Sequence, residues 1–143
     1  MKLVAKGLMV LVGALCVAQL VSVDRTNPPV QGEISAPPDV KTVLRRACYD
    51  CHSNETKWPW YSRVAPMSWL VHRDVVGGRK HVNFSEWAAL PPEKKKKKQK
   101  KAGEEVSGGD MPLWFYLPLH PDARLSDADK QVIARWVAGP TSD

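Results

Sequence analysis

Apolar positions fall into segments with different rhythms along the chain. The first is unbroken. Residues 7–23, GLMVLVGALCVAQLVSV, carry no charge and are mostly apolar, with Lys2 and Lys6 before them and Asp24–Arg25 after. A basic start followed by an apolar run is the pattern of an export signal. Its length is close to the about 17 residues at which a helix begins to span a bilayer. Residues 1–23 therefore read either as a signal peptide, cut after Ala18, or as a retained membrane anchor helix, with anchoring slightly favoured. Lys2 and Lys6 would hold the N-terminus inside and leave the rest of the chain extracytoplasmic.

Residues 24–38, DRTNPPVQGEISAPP, hold four prolines and no periodic apolar pattern, and read as an extended tether. From Asp39, a candidate cap, Val40, Val43, Leu44, Ala47 and Cys51 recur at helical spacing. Residues 53–70 are broken by Pro59 and Pro66 and rich in rings, which predicts a loop against something apolar. Residues 71–87 suggest a short helix ending at Gly77–Gly78, then a turn through Asn83–Phe84–Ser85. Pro91–Pro92–Glu93 opens a lysine-rich helix that runs to Gly108–Gly109. In the last helix Ser126 and Asp129 form a capping box, Val132, Ile133, Trp136 and Val137 make one apolar face, and Gly139–Pro140 stops it. No strand or repeat is evident. The expectation is an all-α domain over residues 39–143, with long loops between its first and last helices.

Composition changes this picture little. The 143 residues carry a formal charge of +6, and from Asp24 onward 19 basic residues face 15 acidic ones, about +4 by subtraction. That balance does not indicate a nucleic-acid binder. Six tryptophans against two phenylalanines suit either an ordinary core or a flat apolar cofactor. The lysine run Lys94–Lys101 reads first as a solvated helix face, and otherwise as a surface that steers an acidic partner.

Three cysteines are present. Cys16 lies in the N-terminal apolar run, which leaves Cys48 and Cys51 as one close pair, too few for a disulfide framework. With His52 they complete C-x-x-C-H, the signature of covalent c-type haem attachment. Two thiols three positions apart on one helical turn can reach the two vinyl groups on a porphyrin edge, and the next residue then lies beneath the iron as its ligand. A thioredoxin-like pair needs a strand before the motif and a helix after it, whereas here a helical pattern precedes the motif and prolines follow. A zinc site needs four ligands, and no second cysteine pair exists.

For the other side of the iron the candidates are Met111, His120, His72, His81 and Met67. Met111 is favoured, because Gly108–Gly109 lets the backbone pass close to a haem face and Pro112 keeps the loop extended. Met/His ligation raises the reduction potential, which suits electron transfer.

Several segments together resemble the small bacterial haem-binding domain proteins related to cytochrome c. They are TNPPV at 26–30, ACYDCHSNETKWPWYSRVAP at 47–66, SWLVHRDVVGGRKHVNFSEW at 68–87, MP at 111–112 and LHPDARLS at 119–126. The resemblance runs from about Thr26 to Trp136. It implies one covalent haem c in an exported, often membrane-tethered domain, with Cys48, Cys51 and His52 at the attachment motif and Met111 as the second iron ligand. The expected function is a periplasmic electron carrier, not an enzyme, acting with an unidentified redox protein. The alternatives are a haem-based sensor or peroxidase-like protein, in which His72 or His120 works with Arg79, and a haem subunit of a membrane complex.

Overall fold

The computed structural model describes residues 2–139; Pro140, expected to stop the last helix, lies outside them. The N-terminal run folds as α1 (Lys2–Ala18), and none of its residues is buried. At 1.5 Å per residue its 17 residues reach about 25 Å, short of the about 30 Å hydrocarbon core of a bilayer. Among the described residues no helix is long and apolar enough to cross a membrane.

The Pro-rich segment is extended but not free. The amides of Gln31 and Gly32 donate to the Ser85 carbonyl (2.9 and 3.1 Å), and Gly32 bridges Glu86 in a parallel sense. Ile34 is fully buried in the core. Upstream, the Gln19 side chain pairs with the backbone of Ala65, its Nε2 donating to the carbonyl and its Oε1 accepting from the amide. The segment is a strap across the domain, held by contacts with residues more than 25 positions away.

The body is mostly helical, with no strand among the described residues. Helix α2 (Pro38–Ala47) begins on proline, tolerated in a first turn because that amide has no intrahelical acceptor. Its cap position is Pro37; Asp39 sits two residues further on, in the first turn, and accepts from the Val40 amide. The helix breaks at Cys48, and the short α3 (Tyr49–His52) follows. Helix α4 (Met67–His81) starts earlier than its apolar pattern suggests and runs straight through Gly77 and Gly78. Helix α5 (Pro92–Gly108) ends on Gly109, whose φ of 82° is the left-handed conformation that closes a helix C-terminus. Helix α6 (Asp127–Ala138) opens with the expected reciprocal capping box between Ser126 and Asp129.

Val40, Val43 and Leu44 of α2, Val106 of α5, and Ile133 and Trp136 of α6 meet in one core with Ile34. A line of rings crosses it: Tyr49 stacks on Phe84 (5.5 Å), Phe84 tilts against Trp87 (6.0 Å), and Trp87 against Trp136 (6.0 Å). The back of the Cys–His turn is thereby packed onto the last helix.

Candidate functional site

The site begins at the break between α2 and α3. The Cys48 amide closes α2 on the Leu44 carbonyl (2.8 Å), and the Cys48 carbonyl accepts from the amides of Cys51 and His52 (3.2 and 2.9 Å). One turn thus carries both thiols and the imidazole. The sequence pattern predicted a single helix through Cys51; the kink instead puts the motif on a turn of its own.

Helix α4 lies against that turn at Gly78. A Cβ there would sit 2.4 Å from the Cys51 carbonyl oxygen, so only glycine permits the approach. The contact brings the last carbonyls of α4 to His52, whose Nδ1 lies 3.0 Å from Gly78 O and 3.2 Å from Val82 O. Carbonyls only accept, so Nδ1 carries the proton and Nε2 keeps its lone pair. Burial lowers the His52 pKa and favours this neutral form, against the two backbone hydrogen bonds that favour the charged one. A ligand histidine is commonly oriented in this way by a backbone acceptor on its far nitrogen.

Cys48, Cys51, His52 and Met111 all line one cavity of about 880 Å³ between α4, α5 and the 111–120 loop. Met111 is delivered by the end of α5: the amides of Asp110 and Met111 both return to the Glu105 carbonyl (3.0 and 3.2 Å). Met67, His81 and His120 also face the cavity. His72 does not; its ring donates to the Asp24 carbonyl (3.0 Å), which removes it from the ligand candidates. Arg79 is also outside, donating to Ser53 O, Asn27 Oδ1 and Thr56 Oγ1 (2.8–2.9 Å), so no pairing of His72 or His120 with Arg79 forms.

The loop after Met111 is tied back to the motif. The Tyr116 hydroxyl donates to Asp50 Oδ2 (2.8 Å), between the two cysteines, and burial with this bond pushes its pKa up. The His120 ring stacks on Tyr116 (3.8 Å, 7°), donates from Nδ1 to the Tyr116 carbonyl (3.2 Å), and meets the Tyr61 hydroxyl at 3.4 Å. Sequence reasoning missed Asp50, Tyr61 and Tyr116, and nothing local distinguishes them from other loop residues. Of the two uses open to the tryptophans, the core one holds for Trp87 and Trp136, and none of the six, all within the described residues, lines the cavity. The rings that do are Tyr61, Phe84, Phe115 and Tyr116, while Trp87 and Trp136 belong to the core.

Two rival chemistries fit poorly. Burial pushes both thiols up to about 12, Cys51 also being opposed by Asp50 and Asp74. A dithiol redox pair needs one thiol depressed toward neutrality. Among the described residues no group of three or more His, Cys, Asp and Glu gathers as metal donors, so nothing completes a zinc site on this turn.

A family model described as haem-binding domain matches residues 13–139. The chain belongs to the haem-binding domain family. No curated protein and no solved structure matches it. For a haem-binding domain the cavity has a fitting size, within the about 300–1,000 Å³ usual for cofactor sites. Its donor set fits as well, with one imidazole presenting a free Nε2 and a thioether lining the same cavity. The family match begins at Gly13, within α1, and takes in the strap.

Proposed function

We propose that this haem-binding domain is a periplasmic c-type electron carrier with one covalently held haem. The observation that carries the reading is the orientation of His52 on the turn that also bears the two thiols, with Nδ1 fixed by the carbonyls of Gly78 and Val82 at the end of α4 and Nε2 left free in the cavity that Met111 also lines. Cys48 and Cys51 would each add S–H across a vinyl C=C. An S–C bond forms, the thiol hydrogen goes to the neighbouring carbon, and no redox equivalent is consumed. His52 Nε2 and the Met111 sulfur would hold the iron. Bound there, the haem supplies a one-electron couple.

The protein's own part is to exclude water and fix geometry. Gly78 and Val82 hold the imidazole, and Tyr116–Asp50 pins the loop that begins at Met111. Lys2, Lys6 and an apolar α1 with no buried residue support an export role for the N-terminus. Electrons would pass to a redox protein on the same side of the membrane.

A second reading, a sensor or peroxidase-like protein, is favoured by the Tyr61–His120–Tyr116 hydrogen-bond cluster facing the cavity. Spectra separate the two. Expressed in a host that matures cytochromes c, the protein should keep its haem through acid–acetone extraction and show a ferric Met–iron charge-transfer band. That band should vanish in Met111→Ala and persist in His120→Ala. Rapid carbon monoxide binding to the ferrous wild type would favour the second reading, and haem lost on extraction would rule out covalent attachment.

A further inference from the structure

The lysine-rich helix is not merely a solvated face. Lys94, Lys97, Lys98 and Lys101 stand at i, i+3, i+4 and i+7 on α5, one stripe, and all four line the cavity. A second stripe of the same helix, Lys95, Gln99, Ala102 and Val106, turns to the core, where the Gln99 amide donates to the Trp136 carbonyl. Ala102 and Val106 also line the cavity, but a helix that only closed an apolar hollow would not add four lysines to its wall.

The charges around the cavity do not balance. Six cationic side chains line it, Lys57, Arg73 and the four α5 lysines, against three acids, Asp50, Asp74 and Glu105. Each acid is already engaged: Asp50 by the Tyr116 hydroxyl, Asp74 by Arg73 (2.8 Å), and Glu105 by Lys101 (2.8 Å). Lys98 donates to the His81 carbonyl. Among the described residues Lys94 and Lys97 have no acidic partner, although Lys100 and Lys101 further along α5 do.

We propose that Lys94 and Lys97, with Lys98 beside them, receive the two carboxylates of the haem. The inference rests on the haem reading above and adds the residues that recognise the acid edge of the ligand. Two carboxylates would offset most of the three-charge excess. Lysine suits a rim of this kind, because its methylene stem can lie on an apolar ring while the ammonium reaches the edge. An acidic docking partner is the competing use of the same charges.

The test uses the full chain with Cys48→Ala and Cys51→Ala, so that ligand exchange is free, titrated with haem and with its dimethyl ester. Haem should bind at least tenfold more tightly than the ester. In the further Lys94→Gln/Lys97→Gln variant haem should lose most of that advantage while ester affinity stays unchanged. Lys96→Gln/Lys100→Gln, away from the cavity wall, should behave as its parent. Equal loss for haem and ester would mark a structural effect and overturn the proposal, as would an undiminished preference for haem. If neither compound binds the parent, the lysines hold no haem without the thioethers and this assignment fails, while the haem reading stands or falls on the extraction test above.

Discussion

At Gly78 the main chain of α4 touches the main chain of the Cys–His turn, and one hydrogen atom decides whether it can. A methyl there would lie 2.4 Å from the Cys51 oxygen, with Cys51 C at 2.9 Å and Cβ at 3.1 Å, so backbone must move. Overpacking of this kind costs about 1–3 kcal/mol. Gly78→Ala should lower the urea midpoint with an unchanged slope, and should reduce the fraction of protein recovered with haem, because His52 loses its acceptors when the elements separate. Full stability and full haem occupancy in that variant would show that the contact is dispensable. Gly77–Gly78 looks like a helix stop in sequence because two glycines weaken a helix, and the partner that makes Gly78 useful lies 27 positions earlier. Cys48, Cys51 and His52, by contrast, stand within five consecutive letters, and the turn that brings all three to one cavity is closed by local hydrogen bonds.

At the level of elements, what is local was readable and what depends on a neighbour was not. The box at Ser126 and Asp129 joins residues three apart: the Asp129 amide donates to Ser126 Oγ (3.1 Å), and the Ser126 amide donates to Asp129 Oδ2 (2.8 Å). Ser126→Ala should cost about 1 kcal/mol, as N-cap removals do, read as a lower denaturation midpoint. The Ser126 hydrogen bonds, and then Arg46 at 2.7 Å, hold the Asp129 carboxyl below its ordinary 3.8. A carboxyl lowered by folding stabilises above its unfolded value and loses that contribution as pH falls through its folded value. Asp129→Asn should therefore be less stable than wild type at pH 6, and the gap should close between pH 4 and pH 2. A gap independent of pH would mean that the charge is not involved. The α5 lysines show the opposite case. Seven lysines in eight positions from 94 to 101 leave no contrast from which a stripe can be read, so only packing against α6 reveals which of them face the cavity.

For the whole molecule, the strap decides how much chain the fold needs. Composition gave residues 24–38 the look of a tether, because prolines and polar residues without periodicity offer no helix or strand. Yet Ile34 is fully buried with Phe84 and Trp87, and Glu33 forms ion pairs with Lys41 and Arg45 of α2. Val30, Ile34 and Ala36, scattered among polar residues and prolines, make no periodic face, so the burial of Ile34 could not be read from sequence. Removing α1 and removing the strap should then differ sharply. A chain that begins after Ala18 loses none of the described buried residues and should unfold at nearly the same urea concentration. Ile34→Ala removes most of a buried side chain and should cost about 2–5 kcal/mol. A chain beginning at Pro38 should lose more, because the hydrogen bonds from Gln31 and Gly32 to Ser85 and from Arg79 to Asn27 go as well. Tryptophan emission reports the damage directly: with Ile34 gone, water should reach Trp87, and the folded-state emission should shift to the red. A free tether would leave stability and emission unchanged in all three, and an equal loss on removing α1 would show that the helix, not the strap, covers the core.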